Sequence, residues 1–299
     1  MMTVNRLLYC GVALLLTMVC SNRVSAFSTV SEKPQTASVS FGAEFASGSY
    51  GTASTIRSVY MPLIATWSPH ERFDIGIEVP FLYQNSSNVT TDLYRNSQSP
   101  TTAKTTASGG PGGGSGNYQL QQAGGVTTAS TSSGLPNSDV SGLGDIVLRG
   151  GYILLFENNS MPQVRTSLFV KTPTASVSNG LGTGEFDFGG GFDLTKWFGD
   201  LHLAGEMLYT CQGRVSGFGL NNYVSYSGTV GYQITHSIRP MLVLKGATAP
   251  SIYSDDLLEA RARINWALTD TTSLDLYGSR GISESSPDFG GGISVIYSF

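Results

Sequence analysis

Ionisable side chains in this sequence recur at alternate positions of short segments whose other positions are apolar. In residues 73–84, Asp74 and Glu78 alternate with Phe73, Ile75 and Ile77. A period of two places successive side chains on opposite faces of a β-strand. If the apolar face contacts lipid, the charged face must line an interior, because a charge exposed to lipid at mid-membrane costs roughly 2–4 kcal/mol.

The same alternation assigns a larger set of charged residues to the interior face. The acids are Glu44, Asp74, Glu78, Asp145, Asp187, Asp193, Glu206, Glu259 and Asp275, and the bases are Arg149, Arg165, Lys171, Arg239, Lys245, Arg261 and Arg263. Opposed acidic and basic walls could orient a polar or dipolar solute in a narrow pore. The alternative is that these side chains form ion pairs that stabilise a nearly filled interior. As a set they favour a pore lining.

The elements that position these residues are predicted to be β-strands. Charged residues are only 13% of the chain, whereas it contains 14 Phe, 14 Tyr and 37 Gly, and no long apolar run follows the N-terminal segment. This composition excludes a disordered chain and a helical membrane protein. Twelve strands are predicted, at residues 37–46, 55–67, 73–84, 141–155, 163–174, 184–196, 201–212, 221–234, 238–248, 257–268, 273–282 and 289–299.

The connections between these strands alternate in length. Short turns follow the even-numbered strands, whereas loops rich in Gly, Ser and Pro follow most of the odd-numbered ones. Short periplasmic turns and long extracellular loops are typical of transmembrane β-barrels of the bacterial outer membrane. A soluble β-sandwich would explain the strands but not the low charge or the loop asymmetry. The sequence therefore predicts an all-β fold, a transmembrane antiparallel barrel of about twelve strands.

The longest loop, residues 85–140, is a low-complexity segment of Ser, Thr, Gly, Asn and Gln. It could fold inward as a constriction, cover the mouth of the barrel or contact a partner. Because twelve strands lie between a filled eight-stranded barrel and a wide porin, the sequence predicts a narrow path.

The N-terminal residues 1–26 are predicted to be a secretory signal peptide. Arg6 precedes an apolar run at residues 7–19, and Val24-Ser25-Ala26 fits a cleavage site. Lipid attachment at Cys20 is the less favoured alternative. The expected mature domain is the barrel of residues 27–299, whose acidic balance argues against a nucleic-acid partner.

The C-terminal strand predicts how the barrel is inserted. Ile293, Val295, Tyr297 and Phe299 alternate with smaller residues. This pattern resembles the last strand of outer-membrane barrels, so the expected partners are outer-membrane lipid, small solutes and, through Phe299, the barrel-assembly machinery. The sequence does not predict the oligomeric state. Aromatic girdles further place Trp67 and Trp266 at the periplasmic interface, and Trp197 in a periplasmic turn.

Enzymatic interpretations have little support in the sequence. His70 and His236 fall in predicted periplasmic turns and His202 directly after one, all far from the outer rim where barrel hydrolases work. Residues 180–184 resemble a phosphate-binding loop but lack the following Lys and Ser or Thr. Cys211 is the one cysteine outside the signal segment. The sequence therefore predicts no enzyme, and no catalytic, cofactor-binding or metal site.

Three short motifs resemble a known family. Residues 142–146 (GLGDI), residues 171–174 (KTPT) and residues 181–184 (LGTG) are similar to motifs of the outer-membrane transporters named for the MetA pathway of phenol degradation. The family usually has Pro-Thr-Gly where this chain has Pro173-Thr174-Ala175. The resemblance implies a barrel that passes small, aromatic or hydrophobic organic compounds, and it supplies no functional residues.

The function predicted is a porin-like channel for passive passage of small solutes. Two alternatives stay open at this point: a non-conducting scaffold or adhesion barrel, and an outer-membrane sheath around a partner such as a multihaem cytochrome.

Overall fold

A computed structural model describes residues 36–50, 55–85, 139–214 and 219–299, and the backbone of residues 96–101 and 118–123. The predicted signal peptide lies outside the described residues. The strands are β1 (Ala37–Gly48), β2 (Ile56–His70), β3 (Phe73–Gln84), β4 (Asn96–Thr101), β5 (Tyr118–Ala123), β6 (Val140–Leu143), β7 (Ile146–Leu155), β8 (Gln163–Thr172), β9 (Asp187–Phe198), β10 (Leu201–Cys211), β11 (Tyr223–Tyr232), β12 (Ile238–Ala247), β13 (Leu257–Ala267), β14 (Thr272–Gly281) and β15 (Phe289–Ser298). No helix in these ranges is long and apolar enough to cross a membrane.

The first and last strands close the sheet into a barrel. β1 pairs antiparallel with β2 on one side and with β15 on the other, and the remaining neighbours follow chain order. β6 and β7 both pair with β3, at residues 81–84 and 73–78 of that strand, so they form one interrupted wall segment. The wall therefore has twelve segments, as predicted, and the closed all-β fold is confirmed.

The alternation along each strand separates an apolar outside from a polar inside. Outward side chains such as Phe41, Leu168 and Leu242 are 57–67% exposed, whereas the intervening positions are buried. An exposed apolar belt on this scale is the surface that a membrane barrel presents to lipid. Trp67 and Trp266 belong to this belt, near the ends of β2 and β13 that lead into short turns.

Trp197 corrects the sequence-based interpretation. It lies within β9, not in a turn, and pairs in register with the buried His202 of β10. The centroids of the two rings are 4.7 Å apart. Trp197 shares its parity with the buried Asp193, so it faces the interior and does not belong to the outer girdle.

The long loop also differs from the prediction, because it contains secondary structure. β4 and β5 pair antiparallel, from Asn96 opposite Ala123 to Thr101 opposite Tyr118. Polar Ser, Thr, Gln and Asn dominate this hairpin, and such sequences carry little apolar periodicity from which strands could be predicted.

A charge placed on the lipid-facing belt should destabilise the barrel. We expect Leu168→Arg, at the middle of β8, to lower the free energy of unfolding in lipid vesicles by roughly 2–4 kcal/mol. Ser237→Arg, in the turn before β12, should change it little. Guanidinium titration of both variants measures the difference, and equal effects would contradict the lipid-facing assignment.

Candidate functional site: the charged interior

Every charged residue that the alternation assigned to the interior is buried. Their exposure ranges from 0% for Glu78, Arg165 and Glu259 to 8% for Asp145 and Glu206. Their part in solute passage stays a prediction. The structure shows which of these side chains contact one another, and the contacts group them into clusters.

Arg165 of β8 lies between two carboxylates. Its Nη2 donates to Oδ1 of Asp74 at 2.7 Å, and its Nη1 donates to Oδ2 of Asp193 at 2.8 Å. Asp74 belongs to β3, so Arg165 must extend over β7, which lies between them. It does so over Gly151, where an added Cβ would lie 1.8 Å from Nη2. The missing side chain of Gly151 therefore allows the guanidinium to lie flat against the wall.

A second cluster centres on Glu78 of β3. Arg149 of β7 donates to its Oε2 at 2.6 Å, and the hydroxyl of Tyr60 on β2 donates to Oε1. The ring of Phe169 lies 6.0 Å from the Arg149 guanidinium and packs over Gly189, where a Cβ would clash with it. Gly189 of β9 thus leaves room for the Phe169 ring, as Gly151 leaves room for the Arg165 guanidinium.

On the opposite wall, Arg263 Nε donates to Asp275 at 2.7 Å and Arg261 pairs with Glu259. The Arg261 guanidinium also stacks on the ring of Tyr277, 4.7 Å from its centroid. Acids and bases therefore neutralise one another along this wall as well.

The hydroxyl of Tyr277 donates to Glu44 of β1 at 2.8 Å, passing across β15. A Cβ at Gly292 would meet the Tyr277 ring at 2.4 Å. A large side chain again crosses a strand where a glycine leaves room.

At the end of the barrel that carries the longer loops, Lys171 joins two acids from different parts of the wall: Asp145, between β6 and β7, and Asp187, the first residue of β9. Its Nζ lies 3.1 Å from Oδ2 of Asp145 and 2.7 Å from Oδ2 of Asp187. Asp145 also accepts a hydrogen bond from the backbone N–H of Ala175 at 2.9 Å. These contacts fix the loop of residues 173–186 against the mouth of the barrel.

The break between β6 and β7 is repaired by the same loop. Pro80 of β3 has no N–H to donate to the carbonyl of Gly144, which instead accepts from the hydroxyl of Thr174 at 3.2 Å. The Thr174 hydroxyl also accepts from the N–H of Ile146 at 2.9 Å. Both backbone groups left without a partner strand are thereby satisfied, as a buried ladder requires.

An apolar cluster completes this mouth. Leu181 and Ala175 of the loop pack inside the barrel against Tyr60 and Leu82. The three sequence motifs at residues 142–146, 171–174 and 181–184 therefore meet in one place, which the sequence alone did not indicate. We call Asp145, Lys171, Thr174, Leu181 and Asp187 the mouth cluster.

At the end of the barrel that carries the short turns, aromatic and basic groups stack. The guanidinium of Arg239 lies 5.4 Å from the centroid of Trp197, and the ring of His202 also packs against Trp197. Sequence reasoning missed the interior aromatics Tyr60, Phe169 and Tyr277, although their parity with the buried charges was the signal that could have found them. Within the described ranges, no group of three or more His, Cys, Asp or Glu could hold a metal ion.

The sequence profile of a protein family described as "Putative MetA-pathway of phenol degradation" matches residues 84–299. The chain belongs to this family. The match covers the wall from the end of β3 to the C-terminus and includes the whole mouth cluster. No curated protein matches the chain by sequence.

Solved outer-membrane barrels share this family member's fold. The COG4313 outer membrane channel from Pseudomonas putida F1 superposes with a TM-score of 0.60 and 12% identity, covering 93% of this chain and 100% of that chain. The KdgM porin superposes with a TM-score of 0.51 and 8% identity, covering 88% and 99%. At such identities the likeness shows the fold, an outer-membrane barrel.

Adding one methyl group beneath Arg165 should break its ion pair with Asp74. We expect Gly151→Ala to lower the free energy of unfolding by on the order of 3 kcal/mol, because a displaced guanidinium leaves buried charges uncompensated. Gly150→Ala is the matched control, since a Cβ there finds its nearest atom at 3.9 Å. Denaturant titration compares the two, and similar stabilities would show that the Gly151 gap is not required.

Proposed function

We propose that this protein is a passive outer-membrane channel for small solutes, with an interior that its own long loop narrows. The observation that carries the proposal is the interior of a closed, lipid-facing barrel, which is lined by acidic and basic side chains. The proposed route to the membrane is export by residues 1–26 and insertion through the strand that ends at Phe299.

Buried ion pairs are a costly way to fill a barrel. Desolvating two charges costs several kcal/mol per ion, and well-packed apolar side chains often give equal or greater stability. Barrels that need only rigidity can be filled without them. A polar lining whose charges lie against the wall, as Arg165 does over Gly151, is consistent with passage of solutes that must exchange water for protein contacts.

The β4–β5 hairpin supports a constriction formed by the long loop. Cα atoms of β4 come within 8 Å of β2 and β3, and those of β5 come within 8 Å of β10. β2 and β10 lie almost opposite each other in the twelve-segment wall. A hairpin that approaches both must extend across the barrel, so we expect it to obstruct the path.

The same interior indicates the chemical class of the solute. A narrow path lined by both signs of charge suits small molecules with polar groups, and the family's description favours aromatic compounds such as phenols. The interior aromatics Tyr60, Phe169 and Trp197 add apolar and aromatic character to this lining.

A non-conducting scaffold is the second candidate. The burial of the interior charges favours it, because Arg165 and Lys245 are at most 2% exposed and water does not reach them in this arrangement. In this alternative the ion pairs serve stability alone, and the long loop contacts a partner outside the cell.

Single-channel conductance in planar bilayers distinguishes the two candidates. The full chain should give small conductance steps, and a variant with residues 86–138 replaced by a short Gly-Ser linker should give steps about twofold or more larger, because a wider path carries more ions. The matched control replaces only residues 102–117, which join β4 to β5, by a two-residue Asn-Gly turn, and should resemble the full chain. Silence of all three, with folding shown by circular dichroism, would overturn the channel in favour of the scaffold.

A further inference from the structure

Most interior charges pair with one another. Arg165 pairs with Asp74 and Asp193, Arg149 with Glu78, Lys171 with Asp145 and Asp187, Arg261 with Glu259, and Arg263 with Asp275. Glu44 accepts from Tyr277 and Arg239 stacks on Trp197. Of the sixteen interior charged residues, Glu206 and Lys245 take part in none of these contacts, and they are opposite in sign.

Their polar atoms are incompletely satisfied within the described part of the chain. The Lys245 ammonium is 2% exposed and has no hydrogen-bond partner there. Glu206 accepts one long hydrogen bond, 3.5 Å from the Ser227 hydroxyl to Oε2, while Oε1 has none. Glu206 and Lys245 attract each other electrostatically but form no direct contact. Buried charged groups normally form direct ion pairs or hydrogen bonds, so two that lack them point to a ligand of matching chemistry.

The strand register places both residues in one row. Glu206 of β10 lies opposite Ser227 of β11, and Ser227 lies opposite Lys245 of β12. Adjacent strands are 4.7–4.9 Å apart, so the two Cα atoms are about 10 Å apart across Ser227. Glu259 of β13 continues the row beyond Lys245 and has its own unpartnered Oε2. From Glu206 to Glu259 the row therefore presents an acid, a hydroxyl, an ammonium and an acid. Asp193 of β9, which pairs with Arg165, lies opposite Glu206 on its other side.

We propose that Glu206, Ser227 and Lys245 form a binding site for a small zwitterion, a molecule that carries an ammonium and a carboxylate a few bonds apart. The solute's carboxylate accepts from the Lys245 ammonium and its ammonium donates to Glu206, with Ser227 between them. Charge-assisted hydrogen bonds of this kind are about twice as strong as neutral ones. The assignment rests on the channel proposed above and names the class of solute that its interior holds.

Ligands with a single charge fit the row poorly. An anion at Lys245 would be repelled by Glu206 on one side and by Glu259 on the other. A cation at Glu206 would be repelled by Lys245, and the same ammonium opposes a metal ion. A dipolar solute gains from both ends of the row.

The test compares three probes of one chain length: 4-aminobutanoate, butanoate and butylammonium. Saturation-transfer NMR on the detergent-solubilised protein measures binding without requiring conduction. The full chain and the variant without residues 86–138 are both measured, so that access to the interior is covered. We expect 4-aminobutanoate to bind about tenfold or more tightly than either single-charge probe, because it forms two charge-assisted contacts.

Two variants test which residue binds each end of the solute. Lys245→Met should remove the preference for 4-aminobutanoate over butylammonium, and Glu206→Gln should remove its preference over butanoate. Lys196→Met is the matched control, because Lys196 pairs with Glu157 near the periplasmic turn, away from the row, and should leave both preferences unchanged. Circular dichroism confirms that each variant is folded.

The outcomes separate this site from the channel function. A silent barrel that still prefers 4-aminobutanoate would retain the site and overturn the channel. A conducting barrel without that preference, in the full chain and in the loop-deleted variant, would overturn the zwitterion site and leave the channel standing. Preference that survives both Lys245→Met and Glu206→Gln would also overturn the assignment.

Discussion

Closure of the sheet is the constraint on which the rest of this structure depends. In hydrocarbon every backbone N–H and C=O must find a partner within the protein, and the pairing of β1 with β15 leaves the wall without an edge. Once the wall is closed, the period of two turns every second side chain inward. The apolar belt outside and the acidic and basic residues inside are then two consequences of a single sequence pattern.

Glycine determines how that interior is arranged. Gly151, Gly189 and Gly292 each lie under a large inward side chain, namely Arg165, Phe169 and Tyr277. Two of these side chains bond to a residue two strands away, Arg165 to Asp74 and Tyr277 to Glu44. Ion pairs and hydrogen bonds thus link wall segments that share no backbone ladder. They also keep bulky groups along the wall, which a path through the barrel requires.

Much of this arrangement was predictable, because burial here follows parity. Strand positions and the inward orientation of residues as far apart as Glu44 and Asp275 come from alternation alone, which is strong wherever lipid faces one side. Which charges pair was not predictable, since that depends on register and on glycines in neighbouring strands. The position of Trp197 was predicted wrongly, because an aromatic residue at the end of a strand fits an interfacial girdle as well as an interior position. The β4–β5 hairpin was missed because its polar sequence has no apolar face.

The family motifs and the row of Glu206, Ser227 and Lys245 lie in different parts of the barrel, and this separation bears on specificity. Asp145, Lys171 and Thr174 are occupied with one another and with the backbone at the β6–β7 break. Substituting these residues would change the structure of the barrel mouth rather than contacts with a solute. Within the described residues Glu206 keeps one long hydrogen bond, from Ser227, and the Lys245 ammonium has none, so under the proposal above their identity can follow the solute. In such a barrel, substitutions at Glu206 and Lys245 can change which solute binds, while the mouth cluster keeps its structure.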